Sequence, residues 1–150
     1  KIVIPSIIQK AAYTFDEEGF YSNQKTTIIV NSSLYLLGVL NSKPIDYFIQ
    51  LISSTKQGGY FEYNPMYLKQ LPIRTIDFTD PADTARHDRM VALVQAMLDL
   101  HKQHAAELNP HKKSMLQHQI DATDRQIDRL VYDLYGLTAE EIAIVEGQDG

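Results

Sequence analysis

The spacing of apolar residues changes at about residue 80, and that change constrains the fold more than any single motif. Met90, Leu93, Met97, Leu100, His104 and Leu108 recur at intervals of 3, 4, 3, 4 and 4. Leu116, Ile120, Thr123, Ile127, Leu130 and Leu134 recur at 4, 3, 4, 3 and 4. An α-helix places residues so spaced on one face. Asn109-Pro110 separates the stripes, so they predict two helices whose seams are of the kind buried in helical hairpins and coiled coils. Asp80-Pro81 supplies a capping carboxylate and then proline at the first helical position. Gly136 closes the second helix. Thr138 and Glu141 predict a capping box that opens a short last helix, "AEEIAIVEG".

The first half carries no such stripe. "KIVIPSII" and "KTTIIV" are rich in β-branched residues and bounded by turn formers, which predicts strands. "DEEGFYSN" between them reads as a turn. In "SSLYLLGVLNSKPIDYFIQLIS" the apolar residues suit two short helices broken near Asn41–Pro44. "GYFEY" predicts a short strand after the Gly58-Gly59 turn, with Tyr60 and Phe61 on opposite faces. Pro72 holds Leu71 extended in "LPI". These patterns divide the chain into a mixed α/β globule over 1–79 and a helical appendage over 80–150.

Cysteine is absent, which excludes disulfides and thiolate metal sites and fits a reducing, cytoplasmic setting. No apolar run is long enough to span a bilayer, and no signal peptide or membrane partner is expected. The chain opens on Lys1 rather than methionine, so the globule is expected to be the C-terminal part of a larger domain truncated at its start. Net charge is −5. Residues 1–75 carry seven Lys/Arg and five Asp/Glu, giving +2; residues 76–150 carry seven and fourteen, giving −7. On this sum a polyanion would meet the first half.

Asn64-Pro65-Met66-Tyr67 is one residue from the Asn-Pro-Pro-Tyr signature of enzymes that methylate amino groups on DNA bases, where the aromatic stacks on a flipped base. Met66 replaces the second proline, and no Gly-x-Gly turn is present to seat a cofactor. The tetrapeptide therefore reads as a turn. His101 and His104 lie one helical turn apart without a third ligand at a recognisable spacing, and read as solvated or seam-lining residues. No Gly-x-Ser-x-Gly, phosphate loop or His-Glu-x-x-His occurs. No catalytic or metal-binding residue is expected. Two polar clusters remain: Ser53 through Phe61, and Lys10 with Tyr21, Ser22, Asn23, Lys25, Thr26 and Thr27. Their hydroxyl, ammonium and amide groups suit phosphates and base edges. The same residue types are ordinary in turns, and both readings stand on the residues alone.

Leu40-Asn41-Ser42-Lys43, Gly58-Gly59-Tyr60-Phe61 and Tyr67-Leu68-Lys69-Gln70-Leu71-Pro72-Ile73, in this order, resemble the core of the TaqI-like C-terminal specificity domain. "DEEGFYSNQKTTIIV" upstream resembles that family's turn and strand. "DPADTARHDRMVALVQAMLDLHK" and "QIDRLVYDLYGLTAEEIAIVEG" downstream resemble its helical tail. The family supplies DNA target-recognition domains to Type II and Type IIG-like restriction-modification methylases. The resemblance implies an α+β fold: a small twisted mixed β-sheet with short helices, followed by a C-terminal helical hairpin. It implies sequence-specific binding of double-stranded DNA without catalysis. It also implies a separate methyltransferase domain in the parent chain that binds S-adenosylmethionine and methylates adenine at N6, with endonuclease activity left open. No cofactor is expected in this fragment. The candidate DNA contacts are Lys10, Lys25, Thr26, Lys43, Ser54, Thr55, Lys56, Gln57 and Tyr60. The rival reading is a structural module that self-associates through its helical seams.

Overall fold

A computed structural model of the chain describes residues 1–20, 23, 25–31 and 33–147. The first half contains strands β1 (Ile2–Pro5), β2 (Ile7–Ile8), β3 (Thr14–Phe15) and β4 (Thr26–Ile29), then helices α1 (Leu34–Asn41) and α2 (Lys43–Ile52). Strands β5 (Thr55–Lys56) and β6 (Tyr60–Glu62) and the single-turn helix α3 (Pro65–Leu68) complete it. The second half is α4 (Pro81–Ala106), α5 (Pro110–Tyr135) and α6 (Ala139–Val145).

The α+β class holds, but the strands form two small antiparallel sheets instead of one mixed sheet. Their orders are β3-β1-β4 and β2-β6-β5. The cause lies at Pro5-Ser6, within what the sequence presents as one strand. Pro5 has no N–H to continue a ladder. Ser6 then divides its backbone between partners: its N–H donates to Lys25 O at 2.9 Å, and its carbonyl accepts from Tyr63 N at 2.9 Å. The chain thus leaves β4 and joins β6. In the first sheet Ile2 and Ile4 point inward opposite Ile29 and Thr27, while Val3 opposite Ile28 points outward.

The helix boundaries follow local chemistry. Ser33 caps α1 by accepting from Leu36 N at 3.2 Å. Asn41 and Ser42 explain the break before α2. Asn41 Oδ1 accepts from Tyr13 N at 2.9 Å and its Nδ2 donates to Tyr13 O at 3.0 Å, so one side chain pairs both backbone groups of Tyr13. The fully buried Ser42 donates to Val39 O at 2.6 Å. Asp80, Asn109 and Thr138 cap α4, α5 and α6, and Gly136 ends α5 at φ 62°.

One hydrophobic core crosses the change of period. Ile2, Ile4, Val39, Ile49 and Tyr63 from the first half join Met90, Val94, Ile127, Val131 and Leu134 from the second. The helical seams therefore face each other and the first half within a single chain. Val94, which lies off the predicted stripe, is buried, whereas Leu108 at its end is 92% exposed. The buried face of α4 is displaced toward Val94 because α4 packs on both α1 and α5. The connecting segment is also fastened. Arg74 places its two terminal guanidinium nitrogens 2.9 and 2.7 Å from the carboxylate of Asp83, and Asp77 N donates to the same group. The Arg74 guanidinium, with that amide, holds the Asp83 carboxyl down at about 2. Tyr135 OH donates to Pro72 O at 2.7 Å and accepts from Arg74 N at 3.0 Å.

Two stability tests follow from this packing. A Cβ at Gly38 would lie 2.5 Å from Met90 Sδ and 2.7 Å from Val94 Cγ2. Gly38→Ala is expected to lose stability, because overpacking costs about 1–3 kcal/mol against a helix-propensity gain of about 1 kcal/mol. The urea midpoint measures it, and Gly38→Val should lose more. The second test concerns buried Asp128 on α5, which accepts from Lys43 N at 2.9 Å. Burial pushes its carboxyl up to about 6, opposed by the Lys43 amide and reinforced by Asp124. The folded chain therefore holds a proton that the unfolded chain releases near pH ~4, so this group's stabilising contribution falls as pH rises toward about 6. Asp128→Asn keeps the acceptor and removes the charge. It should raise the melting temperature above about pH 6, by roughly 1–3 kcal/mol of stability, with the gain gone near about pH 4.

Candidate nucleic-acid interface

The β5–β6 hairpin gathers most of the polar groups singled out in the sequence. Lys56 pairs with Tyr60 and Thr55 with Phe61, leaving Gln57-Gly58-Gly59 as a three-residue loop. Gly58 and Gly59 stand at φ 85° and 76°, a region that strains other residues. The loop is tied down from outside the hairpin: Gln9 Nε2 donates to Gly58 O at 2.9 Å. Gln50 Nε2 in turn reaches Gln9 O at 3.4 Å and Asp46 Oδ2 at 3.1 Å. Buried Asp46 also accepts from Ala11 N at 3.0 Å and from the Tyr63 hydroxyl. Burial, and then the bond to Asp46, push the Tyr63 hydroxyl well above its ordinary pKa.

Strand register fixes which side chains share a face. Ile8, Phe61 and Thr55 stand opposite one another across the sheet. Tyr60, Glu62, Lys56 and Ile7 therefore occupy the other face. That second face is the outer one: Ile7 is 53% and Tyr60 40% exposed, whereas Phe61 packs on the core. Register thus assigns Tyr60 outward and Phe61 inward. Lys56 Nζ lies 2.7 Å from Glu62 Oε1, and the bond to Glu62 raises the pKa of the ammonium. Ser54 Oγ and Tyr67 OH are 2.7 Å apart at the edge of the same hairpin. Gln57 is exposed at the tip and makes no side-chain hydrogen bond among the described residues.

The nine residues expected to contact DNA are not one patch, for the structure brings together only Ser54, Thr55, Lys56, Gln57 and Tyr60. Lys43 sits at the opposite end of the 10-residue α2, a separation of about 15 Å at the helical rise. Its ammonium lies 4.0 Å from Asp128 and 3.9 Å from Glu146, bridging α2 to α5 and α6. Lys10 faces α5, lining a groove of about 610 Å³ with His101, Asp121 and Asp124. Lys25 precedes β4 of the other sheet, which Thr26 opens, and Lys25 N donates to Asn23 Oδ1 at 2.9 Å. Thr27 is buried with its hydroxyl 3.3 Å from that of Ser6. Tyr21 and Ser22 lie outside the described residues.

Sequence reasoning missed Glu62, Gln9 and Ile7. Glu62 was legible, since alternation in "GYFEY" puts it beside Tyr60. Gln9 and Ile7 reach the hairpin through non-local pairing and leave no local signal. Asn64-Pro65-Met66-Tyr67 is consumed by structure. Asn64 caps α3 through Met66 N at 3.1 Å and donates to Glu62 at 3.2 Å, while Tyr67 holds Ser54. The expected turn is thus a capped helical turn. Among the described residues no three His, Asp or Glu side chains converge as a metal site.

Residues 1–73 match the family model of the TaqI-like C-terminal specificity domain. The chain is also similar to the Type II restriction enzyme and methyltransferase RM.Eco57I of Escherichia coli, at 26% identity over 106 residues. The aligned stretch is 71% of this chain and 10% of that protein, so the chain spans about a tenth of the curated relative's length.

Proposed function

We propose, from the match of residues 1–73 to the TaqI-like C-terminal specificity domain, that the chain is the DNA target-recognition module of a restriction-modification enzyme, with the β5–β6 hairpin as its reader. The observation that carries the assignment to the hairpin is its outward face: a glycine-tipped, firmly based ribbon presenting an ammonium, a free amide and a tyrosine. A two-stranded ribbon fits the major groove, where an amide can donate to and accept from a base edge. In this reading Gln57 reads a base and Lys56 meets a phosphate. Tyr60 lies beside them on the exposed strand.

Lys56 is already satisfied by Glu62. A phosphate must therefore compete with a carboxylate, which lowers affinity for any backbone and leaves more of the discrimination to base contacts. Methyl transfer to adenine N6 and binding of S-adenosylmethionine are assigned to another domain of the parent protein, which is also the expected protein partner. A cytoplasmic setting belongs to the same proposal. No described helix is long and apolar enough to cross a membrane. Self-association through the seams is disfavoured, because Met90, Ile127 and Leu134 are already buried within one chain.

Duplex titrations of the full-length protein at several salt concentrations test the reader. Lys56→Ala should weaken all sequences alike and reduce the salt slope by about 1. Gln57→Ala should relax choice at one base pair, costing about 1–3 kcal/mol of discrimination. If both variants fold and keep normal affinity and site choice, the hairpin is not the reader. Glu62→Gln should act in the opposite direction to Lys56→Ala, raising affinity for every duplex and steepening its salt dependence.

A further inference from the structure

Beyond the matched residues, α5 sorts its charges by face. Its apolar face, with Ile120, Ile127, Val131 and Leu134, enters the interior. Asp121, Asp124 and Asp128 fall on one flank, where the first two line the groove shared with Lys10; the fourth carboxylate, Asp133, lies one turn beyond Arg129 and is held by Arg86 at 2.8 Å. The face opposite the core carries His111, His118, Arg125 and Arg129, all exposed. Their spacing of 7, 7 and 4 residues keeps them in one row along the helix. Lys1, Lys43, Lys56, Arg74 and Arg86 each have a carboxylate within 4.0 Å. Arg125 and Arg129 have no such partner among the described residues.

We propose that this row is a second DNA contact, one that grips the sugar-phosphate backbone without reading sequence. It rests on the reading of the chain as a DNA-binding module. From His111 to Arg129 the polar row extends about 27 Å at 1.5 Å per residue, and its permanently charged part, Arg125 to Arg129, spans about 6 Å. The partner is chosen by what the face lacks. Little apolar surface lies on it apart from Met115 and Ala122, whereas a protein partner needs a dry apolar centre. A regular polyanion needs only spaced, unpaired cations.

The test is Arg125→Gln with Arg129→Gln in the full-length protein, titrated with a target duplex and an unrelated duplex across a salt series. Both duplexes should lose affinity by the same factor, and the salt slope should fall by about 2. The drop in affinity between about 50 and 200 mM salt should then shrink roughly 16-fold. Arg125→Lys with Arg129→Lys retains the charge and should retain the slope, which separates electrostatics from any effect on the helix. A folded glutamine variant that binds DNA with unchanged slope overturns the row and leaves the recognition module standing. Failure of the unmodified protein to bind any duplex at low salt overturns both. A loss confined to the target duplex also overturns the row, since it would make these residues readers.

Discussion

Asp46 lies inside the first half with the Ala11 amide, the Tyr63 hydroxyl and the Gln50 side chain all directed at it. These donors come from the segment after β2, the residue following β6 and α2 itself. A buried carboxylate left without donors would be costly, so the three segments are locked in one arrangement. Through Gln50 and Gln9 the same network reaches the Gly58 carbonyl at the hairpin tip. The exposed hairpin thus stands on a buried polar base. A binding loop of this kind gains precision when its support is rigid.

The long helices extend that support. Gly38 lets α1 approach α4 closely enough to touch Met90 and Val94. Arg74, Asp83 and Tyr135 then fix the connecting segment between the two halves. The proposed reader on one half and the proposed backbone contact on the other could act together only if the halves hold a fixed relation. The shared core supplies that relation. Lys43 adds to it by bridging α2 to the carboxylates of α5 and α6. Lys43, within Leu40-Asn41-Ser42-Lys43, thus acts as a brace and lies away from the β5–β6 hairpin.

What was legible in the sequence was local. Caps at Asp80 and Thr138, and the stop at Gly136, depend on a few neighbouring residues and were readable from them, whereas Asn109, read only as part of the break between the stripes, is itself the cap of α5. The two glycines at the hairpin tip were likewise readable as a turn. The division into two sheets was not, because it turns on Ser6 exchanging partners between Lys25 and Tyr63, both remote in sequence. The burial of Val94 depends on α1 arriving beside α4. The same limit governed the site. Residues 54–60 came together because they are contiguous, whereas Lys10, Lys25 and Lys43 shared only a charge.

Net charge is a coarse guide for a related reason. The second half sums to −7, a value that taken alone argues against a polyanion there. A sum carries no information about direction. On α5 Asp121 and Asp124 turn toward the groove, Asp128 toward the Lys43 junction, where burial raises its pKa, and Asp133 is held by Arg86, while Arg125 and Arg129 turn outward. The first half is formally positive, yet Lys1, Lys43, Lys56 and Arg74, four of its seven cations, are each committed to carboxylates. What an approaching phosphate meets is set by which cations remain unpaired at the surface. By that measure the acidic half offers, among the described residues, two unpaired guanidinium groups on α5, whereas the hairpin proposed as the reader offers one ammonium already held by Glu62.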